Sequence, residues 1–240
     1  MADYLNTLVF GIYPYIALAV LVLGSIIRYD REPYTWRSGS SQLLRRRQLV
    51  WGSVLFHAGI LIVFFGHLIG LLTPIAVFDA IGISHGAKQV MAIVVGGVAG
   101  LAALVGATML MHRRLFDPRI RATSTFSDNA VIGILWVQLV LGLATIPISL
   151  GHLDGHEMVK FMTWAQGIFI FDSGAATHVA DTHPIFKLHL FLGLTIFLFF
   201  PFTRLVHMLS APVRYIWRPG YQVVRSRPSW RSGHSAPPAE

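Results

Sequence analysis

The stretch LVWGSVLFHAGILIVFFGHLIGLL (residues 49–72) decides the fold, because it is apolar and contains no Asp, Glu, Lys or Arg. A helix needs about 20 such residues to cross the hydrocarbon core of a bilayer. The stretch nevertheless contains His57 and His67. An ionisable side chain at bilayer depth is costly, so it is by default a candidate functional residue. We therefore expect a membrane-spanning helix with part of a functional site on it.

Four other apolar runs are long enough to span a membrane, at residues 5–27, 89–111, 130–150 and 185–209. Because unpaired backbone groups are not tolerated in lipid, each run is predicted to be helical. The fold class predicted is an all-α membrane protein, a bundle of five transmembrane helices over residues 1–224. A disordered cytoplasmic tail is predicted for residues 225–240, which are rich in Pro, Ser and Arg.

The basic residues predict the orientation of the bundle. Every arginine lies in segment 28–47, in loop 113–121 or after residue 203, whereas the three lysines lie near the other loops. The positive-inside rule then places the N-terminus in the periplasm and the C-terminus in the cytoplasm. The same rule accounts for the net charge of +8, so we expect anionic lipid or an acidic partner at this face rather than nucleic acid.

Two further histidines, His189 and His207, lie in the fifth apolar run. Counting along ideal helices pairs His67 with His189 at the outer side of the membrane and His57 with His207 at the inner side. The spacings differ, since ten residues correspond to about 15 Å of helix and eighteen residues to about 27 Å. We therefore expect the helices to cross or bend, and Pro201 is a place for a kink.

The four histidines favour two bis-histidine haem centres. The chain has no cysteine, so it cannot hold an iron–sulfur cluster, and any further electron carriers must belong to another subunit. Zinc is less suitable, because its structural sites cluster four ligands. Hydrogen-bonded core histidines are the alternative. Glycine rows on the second and third helices permit close helix packing or contact with a macrocycle, and the two uses can coexist: Gly52, Gly59, Gly66 and Gly70, and Gly96, Gly97, Gly100 and Gly106.

The long connection 151–184 contains a second apolar stretch, MVKFMTWAQGIFIF (158–171). It is predicted to form a short helix that packs on the membrane surface. The histidines outside the two spans are interpreted as solvated or structural residues.

Eight motifs then give a resemblance to a known family: IYPYIA (12–17), RYD (28–30), YTWRSGSSQ (34–42), LFHAGIL (55–61), GHLIGLLTP (66–74), RRLFDPRIRAT (113–123), IFKLHLFLG (185–193) and PFTRLVHMLSAPVRY (201–215). In this order, with five spans, the chain resembles the gamma subunit of membrane-bound respiratory nitrate reductase, a di-haem cytochrome b. The resemblance covers nearly the whole chain.

The resemblance implies a function, cofactors and partners. It implies two haem b groups, with iron held by His67 and His189 in the distal haem and by His57 and His207 in the proximal one. Quinol would be oxidised near the outer haem, at a site that includes Lys88. Electrons would pass through both haems to a cytoplasmic iron–sulfur beta subunit and on to a molybdopterin alpha subunit that reduces nitrate. The expected location is the cytoplasmic (inner) membrane of a bacterium or archaeon.

Arg113 and Arg204 are candidates for contacts with the propionates of the inner haem, because guanidinium pairs well with carboxylate. Lys88 by itself would also suit a lysine whose head group reaches the membrane surface. Two other functions stay open from the residues alone. One is a cytochrome b subunit of a formate dehydrogenase or hydrogenase complex, and the other is a histidine-lined ion transporter or a membrane anchor.

Overall fold

The computed structural model describes residues 2–36 and 44–210. Within these ranges the chain is helical and contains no β-strand. The α-helices are α1 (Ala2–Thr7), α2 (Tyr13–Arg31), α3 (Arg46–Leu72), α4 (Ile75–Ala80), α5 (His85–Phe116), α6 (Pro118–Ala122), α7 (Phe126–Ala144), α8 (Ile146–Leu150), α9 (His156–Phe169) and α10 (Pro184–Phe199). A π-helical turn, Leu8–Ile12, joins α1 to α2, and 3₁₀ turns cover Pro33–Thr35, Ala175–Val179, Phe200–Phe202 and Arg204–Met208.

Five helical stretches in the described part are long and apolar enough to cross a membrane: Asp3–Arg31, Arg46–Leu72, His85–Phe116, Phe126–Leu150 and Pro184–Phe202. The prediction of five spanning helices is confirmed. Residues up to His207 form one compact unit, and the predicted tail 225–240 lies outside the described residues. We call the end of the bundle where α2 ends and α3 begins the arginine-rich end. The opposite end, which carries α4 and α9, is the loop end.

Local capping determines where the spans begin and end. The Ser84 hydroxyl accepts a hydrogen bond from the Ala87 amide at the start of α5. At the start of α7, Thr125 and Asp128 form a reciprocal capping box. α3 ends at Leu72 because the next residue, Thr73, precedes Pro74, and a residue before a proline disfavours helical backbone.

Close packing of α3 on α5 depends on glycine. A Cβ atom on Gly59 would collide with the backbone of α5 at Ala99 and Ala103, and one on Gly106 would collide with the backbone of α3 at Phe56. These glycines serve helix packing, as expected of such rows. Three members of the rows differ, because a Cβ on Gly66, Gly70 or Gly96 would meet nothing within 4 Å. The rows therefore divide into a packing part and an open part.

The helix predicted within 158–171 is present as α9, and its position relative to the membrane surface stays a prediction. Met162, Trp164 and Ile168 are buried, and Trp164 and Ile168 pack with residues of the first and fifth spans in one apolar cluster. The Trp164 indole donates a hydrogen bond to the backbone oxygen of Phe10 at 2.9 Å. Gln166 donates to two carbonyls at the end of α3. α9 thus closes the loop end of the bundle.

The fifth span is not the continuous helix predicted for residues 185–209. α10 ends at Phe199, ten residues after His189, and the chain continues as two 3₁₀ turns separated by the extended residue Thr203. Pro201 explains the break, since proline lacks the amide hydrogen and clashes with the preceding turn. The eighteen residues from His189 to His207 are therefore not one helix, so the spacing of about 27 Å calculated for an ideal helix does not apply to them.

Candidate functional site

The structure brings the four transmembrane histidines together in two pairs. The ring centroids of His67 and His189 lie 6.2 Å apart, with an angle of 44° between the ring planes. Those of His57 and His207 lie 6.3 Å apart, with an angle of 70°. The first pair joins α3 to α10 and the second joins α3 to the 3₁₀ turn Arg204–Met208. These are the partners that depth along the helices predicts.

Three of the four rings are held by a hydrogen bond from Nδ1 to a backbone oxygen. His57 donates to Ser53 and His67 to Val63, both at 2.8 Å, and His207 donates to Arg204 at 2.5 Å. Because a carbonyl oxygen only accepts, the proton lies on Nδ1 and the lone pair on Nε2. A hydrogen bond from the ring nitrogen that does not bind the metal is the usual way in which a metal-ligating histidine is oriented.

His189 is held differently. The Gln138 amide of α7 donates to the backbone oxygen of His189 at 3.1 Å and lies 3.5 Å from its Nε2. A Cβ on Gly142 would lie 3.0 Å from the ring carbon Cε1, and one on Gly193 would lie 3.2 Å from the Gln138 nitrogen. Gly142 therefore leaves room for the ring and Gly193 leaves room for the amide, and a Cβ at either position would require a shift of a few tenths of an ångström. Gln138 was not among the predicted site residues, although a lone amide within an apolar span is a recognisable signal.

The rings are only partly covered by the protein. His57 and His67 are exposed, and His189 and His207 are half-buried. Next to His67, the Cβ positions of Gly66 and Gly70 face open space. An imidazole at bilayer depth is a polar group that lipid cannot satisfy, so each pair needs a further partner. The described residues contain no group of three or more His, Cys, Asp or Glu side chains that could hold a metal ion, so each site offers two histidines.

Lys88 lies at the start of α5 and is only 3% exposed. It is therefore not a lysine that extends to the membrane surface. Its Nζ lies 3.6 Å from the ring centroid of Phe78 in α4 and 2.7 Å from the sulfur of Met162 in α9. Neither partner is charged. A buried ammonium with such neighbours marks a candidate functional position at the loop end.

Arg113 and Arg204 lie at the arginine-rich end. An Nη2 hydrogen of Arg113 is donated to the backbone oxygen of Leu44 at 2.6 Å. The Nε of Arg204 lies 2.8 Å from a carboxylate oxygen of Asp128, whose other oxygen lies 3.5 Å from Arg114. Sequence analysis did not identify Asp128, although its place in a Thr-x-x-Asp capping pattern was visible. Through the backbone of Arg204, this cluster reaches the ring of His207.

Three of the described histidines outside the two pairs have structural contacts. His183 caps α10 by accepting a hydrogen bond from the Ile185 amide at 3.3 Å. His85 lies 3.4 Å from the Asp79 carboxylate, and His112 lies 3.3 Å from the Gln48 amide nitrogen. None of these contacts brings a second imidazole alongside.

Comparison with known proteins gives one consistent result. Residues 6–227 match the family described as nitrate reductase gamma subunit. The chain is 49% identical to respiratory nitrate reductase 1 gamma chain of Escherichia coli (strain K12), over 94% of this chain and 99% of that protein. It is 51% identical to respiratory nitrate reductase 2 gamma chain of the same organism, over 95% and 100%. It is 38% identical to nitrate reductase gamma chain of Bacillus subtilis (strain 168), over 92% and 98%.

These names favour nitrate reductase over the formate dehydrogenase and hydrogenase alternatives. Five spanning helices and full-length similarity to gamma chains together describe a multi-pass protein of the bacterial inner membrane. The chain belongs to the nitrate reductase gamma subunit family, and it is a membrane subunit of respiratory nitrate reductase, an oxidoreductase complex.

Proposed function

We propose that this chain oxidises quinol at the loop end of the bundle and conducts the electrons to the arginine-rich end through two b haems. The haem at the loop end is held by His67 and His189, and the haem at the arginine-rich end by His57 and His207. A cytochrome b subunit of a formate dehydrogenase or hydrogenase would use the same path of electrons through two haems, and membership of the nitrate reductase gamma subunit family favours nitrate reductase over both.

The observation that carries this proposal is the geometry of the two ring pairs. A metal bound between two imidazole nitrogens, at about 2.1 Å from each, separates the ring centroids by roughly 6.4 Å. The separations of 6.2 and 6.3 Å agree with this value. In three of the rings Nε2 is the nitrogen with the free lone pair, as ligation requires. The residues therefore fit bis-histidine haem.

When bound, b-type haem supplies reversible one-electron transfer at its iron. The chain's own residues hold and orient the ligands. The backbone oxygens of Ser53 and Val63 fix the ring planes on α3. Since His57 and His67 are ten residues apart, their attachment points are separated by about 15 Å along one rigid helix. α3 is thus the element that sets the spacing of the two centres.

Lys88 is proposed to bind quinol. Quinol oxidation releases two electrons and two protons, and a buried ammonium can donate a charge-assisted hydrogen bond to a quinol oxygen. Phe78 and Met162, which surround Nζ, provide the apolar walls that a quinone ring needs. Because Phe78 lies in α4 and Met162 in α9, the surroundings of Nζ depend on both helices.

The arginine-rich end is proposed to face the cytoplasm, with the N-terminus in the periplasm, because arginine accumulates on the cytoplasmic side of membrane proteins. Electrons would leave there to an iron–sulfur beta subunit and reach a molybdopterin alpha subunit that reduces nitrate. Arg113 and Arg204 are proposed to contact haem propionates, because a guanidinium pairs well with a carboxylate. Protons released at the loop end would then enter the periplasm.

Haem content tests the proposal. The purified complex should show two b haems per gamma chain by pyridine haemochrome, and fewer would contradict it. His67→Ala should remove one haem and quinol oxidation together. His152→Ala is a matched control, because His152 makes the same kind of Nδ1 hydrogen bond, to the backbone oxygen of Ile148, but lies in the loop connection. Quinol oxidation at the unsubstituted rate in His67→Ala would refute the assignment.

A further inference from the structure

His207 is the only one of the four paired histidines that does not lie in a spanning α-helix. It belongs to the 3₁₀ turn Arg204–Met208, which follows the helix break at Pro201. The other three rings are fixed by α3 and α10, whose backbones form continuous hydrogen-bonded helices. The position of His207 therefore depends on whatever holds the segment 200–207 in place.

One anchor for this segment is on α2. Arg28 donates two hydrogen bonds from Nη1, to the backbone oxygens of Pro201 and Thr203, both at 2.7 Å. Carbonyls at the end of a helix have no partner within the helix, and in a membrane protein an unpaired carbonyl is costly. A single guanidinium thus satisfies two carbonyls of the turn that leads to His207.

The surface of α2 is shaped for the same segment. Pro201 is fully buried, and a Cβ on Gly24 would lie 2.9 Å from its Cβ and Cγ atoms. Gly24 precedes Arg28 by four residues, so the two lie on the same face of α2. The proline packs against the glycine, and the guanidinium one turn further along binds the carbonyls that follow.

The second anchor is on α7. The carboxylate of Asp128 lies 2.8 Å from Nε of Arg204, and the side chains of both residues are largely buried, at 18% and 23% exposed. The backbone oxygen of the same arginine accepts the Nδ1 hydrogen of His207 at 2.5 Å. The ion pair therefore holds the residue whose carbonyl orients the ring.

We infer that Arg28 and Asp128 are positioning residues for His207, each anchoring the segment 200–207 from one side. The inference rests on the proposed function, because it takes His207 as a haem ligand. Loss of either anchor leaves α3 and α10 intact, so the pair His67–His189 keeps its geometry. The consequence is selective: one haem changes and the other does not.

The test uses the intact complex with Arg28→Gln, Arg28→Lys and Asp128→Asn. Arg31→Gln is the matched control, because Arg31 is an exposed arginine on the same turn of α2. The readouts are haem content and the midpoint potential of each haem in a redox titration. The haem at His67 and His189 is identified as the one missing in His67→Ala.

In Arg28→Gln and Asp128→Asn we expect a shifted potential or loss of most of the absorbance of the other haem only. Arg28→Lys should restore part of it, because an ammonium can bind one of the two carbonyls, and Arg31→Gln should match the unsubstituted complex. Unchanged potentials for both haems, or equal damage to both, would overturn the inference while the two-haem function stands. An unsubstituted complex without b haem would overturn both.

Discussion

Replacing Lys88 by methionine distinguishes a functional role of this lysine from a structural one. The substitution keeps an unbranched side chain of similar length and removes the charge. In the structure the side chain is 3% exposed, and its Nζ lies between the ring of Phe78 and the sulfur of Met162. A methionine fits this apolar environment without creating a cavity.

The two effects of the substitution have opposite signs. The folded state loses a cation–π contact that contributes about 0.5–2 kcal/mol to its stability. The folded state also no longer carries the cost of burying a charge, which is several kcal/mol per ion and exceeds the attraction of the nearby Asp79 carboxylate. We therefore expect an equal or higher Tm. For quinol oxidation, loss of a hydrogen bond from a charged donor costs about 1.5–3 kcal/mol. This corresponds to a decrease in kcat/KM of roughly 10- to 150-fold.

The assay compares quinol-dependent nitrate reduction with nitrate reduction driven by a small reductant that bypasses quinol. Lys88→Met should impair only the first, with both haems retained. Lys187→Met is the control, since Lys187 also lies at the loop end but donates its hydrogen bond to the backbone oxygen of Ala180. A lower Tm together with unchanged quinol kinetics would show that Lys88 is a structural contact and would refute the reasoning.

Three further predictions concern packing and pH. Gly106→Ala should lower the Tm, because the added Cβ would collide with the backbone of α3. Gly133→Ala is the control: its Cβ would meet nothing within 4 Å, so it should stabilise α7 by up to about 1 kcal/mol. Equal Tm values for the two variants would contradict the packing argument. Trp164→Phe removes the hydrogen bond from the indole to the backbone oxygen of Phe10 and should reduce the free energy of unfolding by about 0.5–1.5 kcal/mol. Thermal denaturation in detergent measures it, with haem content as control, and an unchanged Tm would contradict the role of this bond. Hydrogen bonds from Lys160 lower the pKa of Asp181 below its usual 3.8, so this contribution to stability is present above pH 3.8 and is lost as the pH falls through the lowered pKa. Asp181→Asn should therefore flatten the acid side of a plot of Tm against pH, and an unchanged slope would contradict the pairing.

The five spans and the histidine partners could be predicted because they depend on local properties. A bilayer requires a run of apolar residues of a set length, and that run is visible in the sequence. Counting residues along α3 placed His57 and His67 at two depths, and the ring separations of 6.3 and 6.2 Å show that each meets the expected partner. The orientation of the bundle was likewise predicted from the sequence alone, because the positive-inside rule needs only the number of arginines and lysines in each loop.

Hydropathy alone did not decide two features of the fold. α9 was expected on the membrane surface, and the structure adds that Trp164 joins it to Phe10 of the first span. Residues 185–209 were expected to form one helix, because hydropathy does not register where a proline ends a helix in an apolar run. The sequence offered Pro201 as a kink, whereas the structure has α10 ending at Phe199.

By itself the sequence determined a five-helix membrane bundle with four histidines at two depths, since hydropathy and helical rise act residue by residue. Only the tertiary structure decided how these histidines are held. Gln138 lies against His189, and Arg28 binds the carbonyls of the turn before His207 across more than 170 positions of chain. Such contacts depend on which helices become neighbours and at what angle. Packing of side chains such as Pro201 on Gly24 sets that arrangement, and no local pattern encodes it.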